Sequence, residues 1–186
     1  SPSSAASDVY KRQLYCRWHR NGQKKQYVSG IVNISVSDNG VIQSDYCLTP
    51  SSGADGYFLE CGLTLKLDSI FDTFRWLGEG PFTYTPGKTM YNKRNCWALH
   101  KNDLRFIGNR GLVDIAVATD KQRGIGLWSD NGNIGVENIN GSIYISQNAI
   151  VTGYGSKFTA PQKRKTMDNL KEIKGTLLSV SYTHLT

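Results

Sequence analysis

The sequence lacks several features that would fix a function outright. No run of about 18 apolar residues occurs, the length a membrane-spanning helix needs, so residues 14–179 carry no such span. The four cysteines, Cys16, Cys47, Cys61 and Cys96, are widely separated, with no C-x-x-C pair and no histidine at metal-ligand spacing. This argues against a structural zinc site, and no metal or cofactor is expected. Cys47 and Cys61 fall in apolar strand patterns and read as small buried hydrophobes rather than partners in a bridge. Asp130-Asn131-Gly132-Asn133 is without the further acidic ligands of an EF-hand loop and reads as a turn. His100-Lys101-Asn102-Asp103-Leu104-Arg105-Phe106 mixes His, Asp and Arg with no nucleophile beside a positioned base. No helical periodicity as strong as the strand pattern appears in the body.

The two ends stand apart. Residues 1–13, rich in Ser and Ala, show no periodicity that could bury a face, and they look like a translated sequencing adapter; residues 180–186 resemble the matching adapter at the other end. The expectation is one domain over residues 14–179, a piece of a longer reading frame whose natural start is missing. A length of about 165 residues suits a single core burying roughly two-thirds of the unfolded surface. A periplasmic or secreted location is expected.

The formal charge of +7 is less informative than its size. Lys11 and Arg12 outweigh Asp8 in the leader, and Lys163, Arg164, Lys165, Lys171 and Lys174 outweigh Asp168 and Glu172 near the end, so the body is only mildly basic. A nucleic-acid surface needs its charge spread along a face and interleaved with stacking rings. Here the cluster lies in a polar segment, and no nucleic-acid partner is expected.

What is present is strand pattern. Leu14–Arg20 alternates, with Trp18 the buried ring and His19 on the polar side. Tyr27–Ser37 and Val41–Leu48 are rich in β-branched residues and flank Asp38-Asn39-Gly40, where Asn-Gly supplies the positive φ of a tight hairpin. Pro50–Gly56 reads as a loop and Tyr57–Leu67 as a strand. From Gly124 the chain is a train of short strands, Gly124–Trp128, Ile134–Ile139, Ile143–Gln147 and Ala149–Val151, divided by Asp130–Asn133, Asn140-Gly141 and Gln147-Asn148. Met167, Leu170 and Ile173 allow one helical turn before a last strand, Ile173–Ser179. Such spacing predicts an all-β fold, an antiparallel β-sandwich or barrel.

The stretch Phe74-Arg75-Trp76-Leu77-Gly78-Glu79-Gly80-Pro81-Phe82 organises the rest. Phe74 and Trp76, two apart, put both rings on one face of a strand. The strand is expected to stop at Gly78, because Gly80 loosens the backbone and Pro81 cannot donate to a ladder; Glu79, Phe82 and Tyr84 then lie in a loop. Asp68 to Phe82, followed by Tyr84, by Pro86-Gly87-Lys88-Thr89 and then by Gly108-Asn109-Arg110, resembles the C-terminal β-sandwich of family 2 glycoside hydrolases, the β-galactosidase-like enzymes, over roughly residues 27–160. The family usually has a glutamate between Gly-Pro and its tyrosine and an Asp-Arg pair after it, where Thr83 and Gly87-Lys88 stand here.

The resemblance implies a galactose mutarotase-like supersandwich, non-catalytic in itself, that packs on the catalytic barrel of a β-galactosidase-like parent and lends a loop to its sugar site. The catalytic carboxylates of such enzymes lie in the barrel and not in this segment. The candidates for contacting a galactoside-like carbohydrate are the aromatics Trp128 and Tyr84 with Glu79, Asn109, Arg110 and Glu137, since sugar C–H faces pack on rings and hydroxyls need paired donors and acceptors. Gly108–Gly111 reads locally as a turn, with Asn109 and Arg110 bonding backbone carbonyls as the favoured role. The alternatives are a free-standing mutarotase-like epimerase, for which His100 with Glu137 is the available acid and base pair, a carbohydrate-binding module, and a structural sandwich without a ligand. Asn33-Ile34-Ser35 and Asn140-Gly141-Ser142 fit the N-glycosylation pattern, which has meaning only in a eukaryotic secretory protein.

Overall fold

The structure, a computed structural model, describes residues 10–20, 23–52, 58, 60–84, 91–104, 108–120, 122–151 and 171–183; for 17–20 and 23–26 it describes the strand path alone. The side chains of Trp18 and His19, the Pro86–Thr89 motif, most of the Pro50–Gly56 loop and the helical turn before Lys171 lie outside the described residues. No α-helix occurs among the described residues. The strands are β1 (Tyr10–Arg20), β2 (Gln23–Val36), β3 (Val41–Pro50), β4 (Glu60–Lys66), β5 (Thr73–Gly80), β6 (Lys93–His100), β7 (Gly108–Arg110), β8 (Ile115–Thr119), β9 (Arg123–Ser129), β10 (Ile134–Ile139), β11 (Ser142–Val151) and β12 (Ile173–Thr183). A short 3-10 turn, Lys101–Asp103, follows β6.

Every pairing among the described residues is antiparallel. Eight strands form a large sheet in the order β1-β2-β3-β12-β9-β8-β5-β6, and four form a small one, β4-β11-β10-β7. The inward residues of the two sheets meet as an antiparallel β-sandwich, the fold class the strand spacing predicts. Phe74, Trp76, Ala116, Ala118, Leu127 and Leu177 of the large sheet face Ile134, Val136, Ile143 and Ile145 of the small one, all nearly excluded from water. Burying each large apolar side chain of this set contributes about 1.5–3 kcal/mol. Beside it lies a second cluster, Val28, Val32, Tyr46, Leu48, Ile150 and Ile173.

Turn chemistry fixes the registers. Asn140 and Gly141 both take positive φ, 51° and 85°, so Ile139 pairs with Ser142 across a two-residue turn. The β2–β3 turn differs from expectation, because only Gly40, at φ 77°, is left-handed. Gly40 N–H donates to the Ser37 carbonyl and Ser37 N–H to the Val41 carbonyl, which makes a longer loop closed by one glycine.

Three boundaries read from the sequence are corrected. β5 does not stop at Gly78: it pairs through Gly80 with Lys93, so Glu79 is a strand residue opposite Arg94. Its glycines serve close approach. A Cβ on Gly78 would sit 2.9 Å from the Leu112 carbonyl oxygen, and one on Gly80 2.6 Å from the Trp97 indole nitrogen. Gly108–Arg110 is not a turn but the buried strand β7, paired with Ile134–Val136. Gln147-Asn148 does not divide two strands; it lies inside β11, where a bulge between Asn148 and Ile150 shifts the register against β4. At the ends, Tyr10 pairs with Val36, and Val180 pairs with both Val41 and Gly126.

Candidate functional site

The organising stretch and the Gly-Asn-Arg segment are brought together. Arg110 points inward from β7, 4 % exposed, with its guanidinium carbon 5.1 Å from the centre of the Trp76 ring. Burial pushes its pKa down to about 10, Nη1 donates to the Gly108 carbonyl at 3.3 Å, and Nε is buried with no hydrogen-bond partner. A guanidinium spread over an aromatic face retains part of the attraction that water would have given it. Trp76 is stacked between Phe74, at 5.5 Å, and Trp97, at 6.4 Å, and its indole N–H donates to the Glu79 carbonyl. Glu79 N–H reaches the Gly111 carbonyl at 3.0 Å, and Tyr84 N–H reaches the Asn109 carbonyl at 2.7 Å. Gly111 leaves room for the Tyr84 ring, since a Cβ there would lie 2.0 Å from it. Glu79, Tyr84, Asn109 and Arg110 thus form one unit, knitted largely through backbone.

Asn109 begins a chain of amides on the outer face of the small sheet. It is 1 % exposed. Its Nδ2 donates to the Tyr84 carbonyl and to Asn133 Oδ1, while its Oδ1 accepts from Asn148 Nδ2 at 3.1 Å. Asn148, 2 % exposed, also donates to Glu60 Oε2 at 3.1 Å. Burial raises the Glu60 pKa; Asn148 opposes the shift and the charge of Glu137 adds to it. Glu60 and Glu137 therefore share this face, with Asn148 orienting one of them.

Inside the sandwich a polar seam divides the two apolar clusters. The Tyr46 hydroxyl donates to Gln147 Oε1, and Gln147 Nε2 donates to Asp130 Oδ1 at 2.9 Å. Gln147 is fully buried, and both ends of its amide are hydrogen-bonded, Oε1 to buried Tyr46 and Nε2 to Asp130 at the sandwich's exposed margin, which is how a polar side chain is tolerated there. The Tyr46 pKa is raised, chiefly by burial. Gly175 makes the space: a Cβ on it would lie 2.5 Å from both Gln147 Oε1 and the Tyr46 oxygen.

The other candidates lie elsewhere. Leu127 is in the core, so its neighbour Trp128 projects from the opposite face of the large sheet, where it lies across Gly126. The sandwich therefore separates Trp128 from Asn109 and Glu137. His100 is exposed, and its Nδ1 accepts from Asn102 N–H at 3.2 Å to cap the 3-10 turn. Among the described residues no three metal-ligating side chains form a group, and no helix is long and apolar enough to cross a membrane. All four cysteines are free thiols, Cys16, Cys47 and Cys61 only partly buried and Cys96 exposed.

Sequence reasoning missed Glu60, Asn148, Gln147 and Tyr46. Gln147-Asn148 between apolar runs reads as a turn unless the two residues are seen as polar positions of one long strand, and Glu60 gives no signal before the β4–β11 register is known.

No family model matches the sequence, and no curated protein matches it. Among solved structures, one similar in outline is the crystal structure of an Escherichia coli K12 protein provisionally named an aldose 1-epimerase. The TM-score is 0.47 at 7% identity, over 92% of this chain and 66% of that one. The chain thus spans slightly under two-thirds of that protein's length.

Proposed function

We propose that this chain is the accessory β-sandwich of a β-galactosidase-like glycoside hydrolase, without catalytic carboxylates of its own, stabilising the parent's catalytic barrel and contributing to the rim of its sugar site. One observation carries the reading. Phe74–Tyr84 and Gly108–Gly111, the separate segments on which the resemblance rests, form a single unit through the Trp76–Arg110 stack and the Glu79–Gly111 and Tyr84–Asn109 backbone bonds. Asn109 spends its hydrogen bonds on the Tyr84 carbonyl and neighbouring amides, and Arg110 holds the Gly108 carbonyl and lies on Trp76, which fits a supporting role. Tyr84, half-buried, and Phe82, 60% exposed, then lie at the rim of that unit.

The competing enzymatic reading is a mutarotase-like epimerase acting through His100 and Glu137. Polarimetry of α-galactose mutarotation, run beside an aryl β-galactoside hydrolysis assay, separates the two with the isolated chain. The accessory reading predicts neither activity. Mutarotation that disappears in His100→Gln would establish the epimerase and remove the accessory reading.

A further inference from the structure

A cleft of about 330 Å³ opens at the edge of the small sheet, away from the Trp76–Arg110 unit. Its two walls differ in kind. Val28, Leu48 and Phe58 form an apolar side; Glu60, Ser146 and Asn148 form a polar one. The volume lies at the lower end of the range of about 300–1,000 Å³ typical of small-molecule sites. The floor is backbone, because Gly62 is so close to β11 that a Cβ would meet the Gln147 carbonyl oxygen at 1.7 Å.

We propose that this cleft binds a neutral pyranoside, its C–H face against Phe58 and its hydroxyls paired with Glu60, which Asn148 positions, and Ser146. The chemistry of the walls selects that class. Glu60 is the one charged side chain among the described lining residues, so a phosphate or carboxylate ligand meets repulsion and no cation. A wholly apolar ligand would strip water from the carboxylate without replacing its hydrogen bonds. A pyranoside offers hydroxyl donors to the carboxylate and a C–H face to the ring.

The polar wall is pre-positioned. Asn148 holds Glu60 Oε2 and is held by Asn109, which Asn133 and the Tyr84 carbonyl fix in turn. Thr64 Oγ1 and Ser146 Oγ lie 2.7 Å apart on the same wall. Little rotamer freedom is left to lose on binding. The partial burial that raises the Glu60 pKa also strengthens any hydroxyl it accepts from. This inference rests on the cleft alone and stands whether the chain is an accessory domain or an independent module.

The test is an NMR titration of the full chain with methyl β-D-galactopyranoside and methyl β-D-glucopyranoside, with ethanolamine as a cationic probe of Glu60. Saturable binding of a pyranoside at millimolar concentration is expected, weakened at least about tenfold in Glu60→Gln, which keeps an acceptor for Asn148 but loses the charge. Phe58→Leu, which retains bulk, should weaken it about threefold or more through loss of the ring face. Unfolding curves establish that each variant is folded before its affinity is read. No pyranoside binding by the wild-type chain, binding unchanged in both variants, or binding of ethanolamine alone would each overturn the proposal.

Discussion

The two apolar clusters of the sandwich share strands β11 and β12 and do different things. Along β11, Ile143 and Ile145 enter the larger cluster and Ile150 the smaller; along β12, Leu177 enters the larger and Ile173 the smaller. Between them stand Gln147 and Gly175, where Tyr46, Gln147 and Asp130 form the polar seam. The larger cluster is closed: its rings stack, and the charged Arg110 that enters it lies over Trp76. The smaller borders the cleft, whose wall takes Val28 and Leu48 from it. A closed core supplies rigidity, and a core that stops short of closure leaves space for a ligand.

Isoleucines of one strand test this most sharply. Ile145→Ala should cost about 4–5 kcal/mol in urea unfolding, near the upper end for core truncations, and Ile150→Ala about 2 kcal/mol, because the β11 bulge and the nearby cleft let the site relax. Equal costs would mean the two clusters are one core. Gly175→Ala attacks the boundary itself. Its Cβ would meet Tyr46 and Gln147, and a loss of about 1–3 kcal/mol is expected from overpacking. Tyr46→Phe should cost about 1–2 kcal/mol by leaving buried Gln147 short of a donor; no loss would show that the seam does not stabilise the fold.

A further effect is in pH dependence. Burial raises the Cys61 thiol from 9.0 to about 11, so the folded chain keeps this proton longer than the unfolded one does. The contribution is complete below pH 9 and is lost as pH rises through about 11. Thermal unfolding should therefore show the difference between wild type and Cys61→Ala narrowing over that window. A constant difference would place Cys61 in contact with water. Glu60 behaves with the same sign at lower pH. Its raised pKa means that the buried carboxylate opposes folding once ionised, so Glu60→Gln should raise the melting temperature at pH 7 and leave it nearly unchanged at pH 4.

Much of the fold is legible in the residues because it is local. β-branched alternation marks β2, β3 and β10, and Asn140-Gly141 carries the two left-handed positions its turn requires. Phe74 and Trp76, two apart, are both in the core as their spacing predicts. The misreadings arise where a residue answers to a distant segment. Gly78 and Gly80 read as breakers, yet they are spaces for residues 111–113 and Trp97. Asn109-Arg110 reads as a turn because polar side chains are expected outside, and the Trp76 ring, the Gly108 and Tyr84 carbonyls and the Asn133 and Asn148 amides make their burial tolerable. The seam and the Glu60 cleft depend on the β4–β11 register, which no short-range pattern specifies.

The accessory-sandwich reading is tested most directly by the DNA from which the chain came, read upstream of the codon for Leu14. The account predicts an uninterrupted frame encoding a (β/α) barrel with two glutamates at strand ends. A start codon and secretion signal immediately before Leu14 would contradict it and make the chain a self-contained module.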